Sequence, residues 1–148
     1  MAEDLDELYQ QVILDHCKTP RNFRALPGAS RRGEGYNPLC GDNYTVFVAM
    51  DGDRVREATF QGSGCCISKA SASLLTDAVK GRTKEEVKAL FGQVHDIITT
   101  GRVTGDGLGK LAVFAGVHKF PARVKCAILA WHALVAAVDG AETPVTTE

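Results

Sequence analysis

Three cysteines far apart in the chain, each set where a thiol could be a ligand, constrain it more than any other feature. Cys40 stands in Asn37-Pro38-Leu39-Cys40-Gly41-Asp42, Cys65 in Gly62-Ser63-Gly64-Cys65, and Cys126 in Arg123-Val124-Lys125-Cys126. Proline fixes a turn, and glycine permits backbone angles that other residues avoid. Asp42 adds an oxygen donor two residues after Cys40. Three thiolates and a carboxylate can close a tetrahedron around zinc, and a thiolate able to leave it is a nucleophile for sulfur chemistry.

The chemistry around each thiol favours its ionised form. A helix beginning near Cys65 places positive dipole there, and Arg123 and Lys125 bring charge to Cys126. With zinc, the four ligands carry a net charge of about −2, which the same two cations can offset. Soft donors favour zinc over magnesium or calcium, and an iron–sulfur cluster is admissible on the same thiolates. Spacing alone leaves a second reading open. The chain has no C-x₂-C pair, and a buried cysteine is commonly a small hydrophobe.

The 148 residues suit one domain with a real core, and 45 % hydrophobic residues argue against disorder. Seventeen Lys plus Arg against 18 Asp plus Glu give a charge of −1, which supplies no broad basic surface for nucleic acid. The acidic start Met1-Ala2-Glu3-Asp4 does not read as a signal peptide, and the apolar stretch 127–138 reads as a buried helix rather than a membrane span. The expectation is a cytoplasmic protein without nucleic-acid or membrane partners. Five cysteines, an odd number, in a reducing compartment point to metal or redox use rather than to structural disulfides.

Along the chain, Leu5, Leu8, Tyr9, Val12 and Ile13 predict an amphipathic helix ending before Thr19-Pro20. Residues 20–43 read as loop with a short strand near 31–36. The segments 44–50 and 55–61, joined by Asp51-Gly52, predict a hairpin leading into Cys65. A helix follows up to Gly81. Thr83 and Glu86 have capping-box spacing for the next, and residues 99–109 read as a mobile glycine-rich loop. Pro121 opens a last helix expected to bury Val124, Ile128, Trp131, Val135 and Val138. Residues 1–140 form one α+β domain, a small antiparallel sheet packed against helices, and 141–148 read as a flexible tail.

The motifs Asn37-Pro38-Leu39-Cys40-Gly41-Asp42, then residues 62–73 from Gly62 to Ser73, then Pro121-Ala122-Arg123-Val124-Lys125-Cys126-Ala127, resemble the SufU/IscU family, as do Leu14-Asp15-His16 and Pro20-Arg21-Asn22. The likeness runs in order from Leu5 to Val138. Lys125 stands where IscU scaffolds carry a ligand-capable histidine, and the stretch from Cys65 to Cys126 is longer than in IscU, with the insertion around 83–109. Both features favour the SufU branch.

That resemblance implies a zinc-dependent sulfurtransferase, with zinc on Cys40, Asp42, Cys65 and Cys126. It implies a SufS-type cysteine desulfurase as persulfide donor and downstream iron–sulfur assembly proteins as recipients. In such proteins a desulfurase histidine takes a place on the zinc, releasing the cysteine matching Cys40 to accept sulfur. The alternative is an IscU-type scaffold assembling a [2Fe–2S] cluster on the same thiolates. A structural zinc domain is a third reading.

Two cysteines depart from the family pattern. Cys66 reads as a small buried side chain, although adjacent cysteines can compete for metal or oxidise, and Cys17 reads as a packing thiol at a helix end. His16 is expected to cap or to bond at the surface, with partner contact open. His132 is expected to be partly buried and structural.

Overall fold

The structure is a computed structural model, and it describes residues 2–37, 41–102, 109–140 and 145–146. Helix α1 (Ala2–Lys18) precedes strands β1 (Arg31–Asn37), β2 (Asp42–Asp51) and β3 (Arg54–Ser63). Helices α2 (Cys66–Val79) and α3 (Lys84–Thr100) follow, then a 3₁₀ segment (Gly109–Lys119), α4 (Pro121–Asp139) and a two-residue strand β4 (Val145–Thr146). The sheet runs β3-β2-β1-β4, antiparallel except for the β1–β4 pair. This is an α+β domain with helices on the sheet.

Alternation builds the sheet. Tyr44, Val46 and Val48 of β2 are buried to 1 % exposure or less, while Asn43 is exposed and Thr45 and Phe47 are half-buried between them. Such a period of two turns one strand face to the core. The register slips between Ala49 and Met50, where β3 carries one extra residue, and Ala49 is buried as well. Thr83 opens α3 with a full capping box, and Gly101 closes it in the left-handed conformation. Residues 103–108 of the glycine-rich stretch lie outside the described residues.

Helix α4 is more deeply buried than its stripe suggests. Val124 and Val135 are half-buried, whereas Leu129, Ala130, Trp131, Ala133, Leu134 and Ala137 are all at most 1 % exposed. The helix packs on β1 and β2 with one side and on α2, α3 and the 3₁₀ segment with others, so it is apolar nearly all round. It has the length and composition to cross a membrane, but 61 % of that window is buried inside the protein. Contact with β1 requires glycine. A Cβ on Gly33 would lie 1.9 Å from the Ala133 carbonyl oxygen.

The 3₁₀ segment had no sequence signal, yet it buries Leu111, Val113, Phe114 and Val117 in the same core. Two expectations about α1 are corrected. His16 is buried, with Nδ1 2.7 Å from the Ser73 hydroxyl, because its face of α1 lies against α2 while Leu14, Asp15 and Lys18 stay exposed. Cys17 is no isolated packing thiol. It is disulfide-bonded to Cys66, with Cα atoms 5.1 Å apart. Cys66, in turn, is half-buried and covalently paired rather than a simple buried side chain. The reason is again that α1 ends beside the start of α2.

Candidate metal centre

Three chain segments converge at one point. Asp42 opens β2, Cys65 is the N-cap of α2, and Cys126 lies in the second turn of α4. A carboxylate oxygen of Asp42 and the sulfurs of Cys65 and Cys126 all lie within 4.8 Å of one another. Cys40, the fourth candidate, lies outside the described residues. Its described flanks meet, since the Gly41 N–H donates to the Asn37 carbonyl at 2.8 Å.

Asp42 is only 3 % exposed. Its Oδ1 accepts from the Cys65 backbone N–H at 3.3 Å. Its Oδ2 is buried and accepts no hydrogen bond from any described residue. A buried carboxylate oxygen without a donor is costly unless a cation or proton meets it. The bond to the Cys65 N–H ties the first residue of β2 to the start of α2.

The local sequence builds this pocket. The Cys65 sulfur accepts from the Ser68 N–H at 3.5 Å, the N-cap arrangement that satisfies an otherwise orphaned helix donor. Gly64 is required by close packing. A Cβ there would lie 2.5 Å from Ser68 Oγ, 2.6 Å from the Tyr44 hydroxyl and 2.8 Å from Asp42 Cγ. Cys126 is buried, with its sulfur 3.5 Å from the Ala122 carbonyl oxygen.

Charge around the sulfurs is organised from outside. Arg123 is exposed and held above its usual pKa, first by the negative charge of Cys65 and by its hydrogen bond to that sulfur, then by Cys126. It therefore stays cationic beside both sulfurs. Lys125 is half-buried next to Cys126.

Tyr44 and Ser68 are supporting residues that the sequence reading left without a role. Their hydroxyls are 2.8 Å apart, and both residues are buried. Burial drives the Tyr44 phenol far above its ordinary pKa, and nearby Asp42, Cys65 and Cys126 push the same way against the Ser68 bond. Tyr44 thus remains protonated behind the site. The available signal was an inward-facing tyrosine on β2, which needs a partner for its hydroxyl.

The NifU-like N-terminal domain family model matches residues 8–127. The chain belongs to this family. Among its relatives is the zinc-dependent sulfurtransferase SufU of Bacillus subtilis strain 168, 44 % identical over 133 residues that cover 88 % of this chain and 89 % of that protein. The iron–sulfur cluster assembly scaffold protein IscU of Streptococcus pyogenes serotype M1 is 40 % identical over 135 residues, covering 90 % and 84 %. A crystal structure of an iron–sulfur cluster assembly scaffold protein for the SUF system (FiSufU) from thermophilic Fervidobacterium islandicum AW-1 superposes with a TM-score of 0.82 at 30 % identity, covering 86 % of this chain and 94 % of that one. The chain is thus an IscU/SufU-type domain with names of both kinds among its relatives.

Proposed function

We infer that the protein is a zinc-dependent sulfurtransferase of the SufU type, working in cytoplasmic iron–sulfur cluster assembly. Zinc is held by Asp42, Cys65 and Cys126, with Cys40 as fourth ligand and sulfur acceptor. The observation that carries this is the meeting of one carboxylate oxygen and two sulfurs within 4.8 Å, with Asp42 Oδ2 buried and unsatisfied by any described residue. That donor set fits zinc. Bound zinc would keep the thiolates deprotonated and protected.

The donor is a persulfide on a SufS-type cysteine desulfurase. The Cys40 thiolate attacks the outer sulfur of that persulfide. The persulfide S–S bond breaks, a new S–S bond forms on Cys40, and the donor cysteine leaves as a thiolate. Electrons balance without an external reductant. The protein's own residues prepare this exchange. Arg123 sets positive charge beside Cys65 and Cys126. The Asp42 bond to the Cys65 N–H keeps those two ligand positions together while Cys40 reacts. Gly41, at φ 77° directly after Cys40, makes the left-handed turn that leads into Asp42 at the start of β2. Lys125 supports the SufU branch, because it removes the histidine available to IscU scaffolds.

The test compares cysteine turnover by a SufS-type desulfurase with zinc-loaded wild type and with Cys40→Ala. Strong stimulation by wild type alone is expected. Failure of both to stimulate would sink sulfur transfer with this partner and leave assembly of a [2Fe–2S] cluster as the reading to pursue.

A further inference from the structure

The sulfur-transfer reading uses Cys40, Cys65 and Cys126. It has no task for Cys17 and Cys66, which are joined by a disulfide across 49 residues of chain. Both are partly exposed, so an external thiol can reach them. Cys66 is the first residue of α2, and Cys65, directly before it, is the N-cap. Successive side chains at a helix start point roughly 100° apart. One sulfur faces Asp42 and Cys126 while the next is tied to α1.

Other bonds between the α1 region and α2 lie further along α2. His16 Nδ1 and the Arg21 N–H both meet the Ser73 hydroxyl, and the Asn22 side-chain amide donates to Thr76 and Asp77. Those bonds fasten the middle and end of α2. The disulfide ties its first turn to α1, while Asp42 and Tyr44 hold the same turn from the β2 side through the Cys65 N–H and the Ser68 hydroxyl.

We propose that the Cys17–Cys66 disulfide is a reversible latch on the metal centre, opened by a dithiol reductant, and that opening it frees the first turn of α2 with Cys65. One thiolate of the reductant attacks Cys17 or Cys66, the protein S–S bond breaks, and a mixed disulfide forms. The reductant's second thiolate displaces the remaining protein sulfur. Two electrons pass to the protein, the reductant leaves as its own disulfide, and Cys17 and Cys66 end as thiols carrying its two protons. In a reducing compartment such a bond is expected to be transient or redox-sensing. The latch stands on the disulfide's position; its effect on metal rests on the ligand set inferred above.

The experiment uses the full chain, oxidised with trans-4,5-dihydroxy-1,2-dithiane or reduced with dithiothreitol. Alkylation should find two fewer thiols in the oxidised form. In metal-free protein, amides of residues 65–69 should exchange hydrogen about tenfold faster after reduction, while those of 74–79 stay within about twofold. A Cys17→Ser/Cys66→Ser double variant should match the reduced form in both treatments. After reductant removal under argon, zinc should pass to a chromophoric chelator about tenfold faster from the reduced protein. Equal exchange in the two forms, or no two-thiol difference, overturns the latch. Equal zinc release with the exchange difference kept also overturns it as a latch on the metal centre. If neither form binds zinc but exchange differs, the ligand set falls and the latch on α2 stands.

Discussion

Gly64 shows how one missing carbon can hold a site open. The space a Cβ would take is filled by Ser68 Oγ, the Tyr44 hydroxyl and Asp42 Cγ, all within 2.8 Å. Two of these belong to buried residues bonded to each other, so they have little room to retreat. Gly64→Ala should therefore cost about 1–3 kcal/mol by overpacking. Zinc affinity should fall about tenfold or more as Asp42 is displaced. Urea unfolding and chelator competition would measure the two effects, and a variant as stable and as tight as wild type would refute the account. A second single-residue effect lies further along α4, outside the candidate ligand set. His132 is half-buried on α4, against the Phe91 ring, and its pKa is lowered by burial first and then by His95. The unfolded chain takes up a proton near the ordinary value of about 6.5, while the folded protein resists until lower pH. Stability from this group is therefore complete above that value and lost as pH falls below it. Urea midpoints from pH 8 to pH 5.5 should fall more steeply in wild type than in His132→Gln; parallel curves would remove His132 from the pH response.

At the scale of elements, the disulfide joins two helices that already share polar bonds. Cross-linking residues 49 apart in sequence should stabilise the oxidised protein by about 4 kcal/mol on the chain-entropy estimate. Cys17→Ser should lower the urea midpoint accordingly under oxidising conditions and should resemble reduced wild type. A variant indistinguishable from oxidised wild type would mean that the bond constrains nothing. Its pairing was not legible from sequence, because periodicity assigns α1 and α2 faces but not the crossing that sets Cys17 beside Cys66. The elements themselves were legible where local chemistry decides them. The Thr83–Glu86 capping box, Pro121 at the start of α4 and the alternating β2 pattern all carry short-range signals. The 3₁₀ segment Gly109–Lys119 has no such signal. Its order comes from tertiary burial of Leu111, Phe114 and Val117. Burial around most of α4 was likewise hidden, because a stripe at helical spacing reports one face and neighbours cover the others.

Across the whole molecule, the candidate site joins the first residue of β2, the entrance to α2 and the second turn of α4. Sequence chemistry singled out Asp42, Cys65 and Cys126, the first two beside glycines that allow close approach and the third beside Arg123 and Lys125. It did not supply the Tyr44–Ser68 support, which depends on how β2 and α2 meet. A ligand set drawn from three elements has a consequence for global stability. Its donors come together only in the folded chain, so zinc binding should draw unfolding toward the native state. At free zinc one hundred times Kd, the gain should be about 2.7 kcal/mol, reduced by any zinc that unfolded cysteines retain. Asp42→Asn keeps an oxygen to accept the Cys65 N–H but removes the charge that meets the cation. The variant should fold without metal much as wild type does, yet gain far less stability from zinc. Urea titrations of both proteins, in EDTA and at fixed free zinc, would measure the four midpoints. A wild-type midpoint unmoved by zinc would deny that these elements form a metal centre. An equal shift in Asp42→Asn would leave the two sulfurs in place and remove the carboxylate from the ligand set.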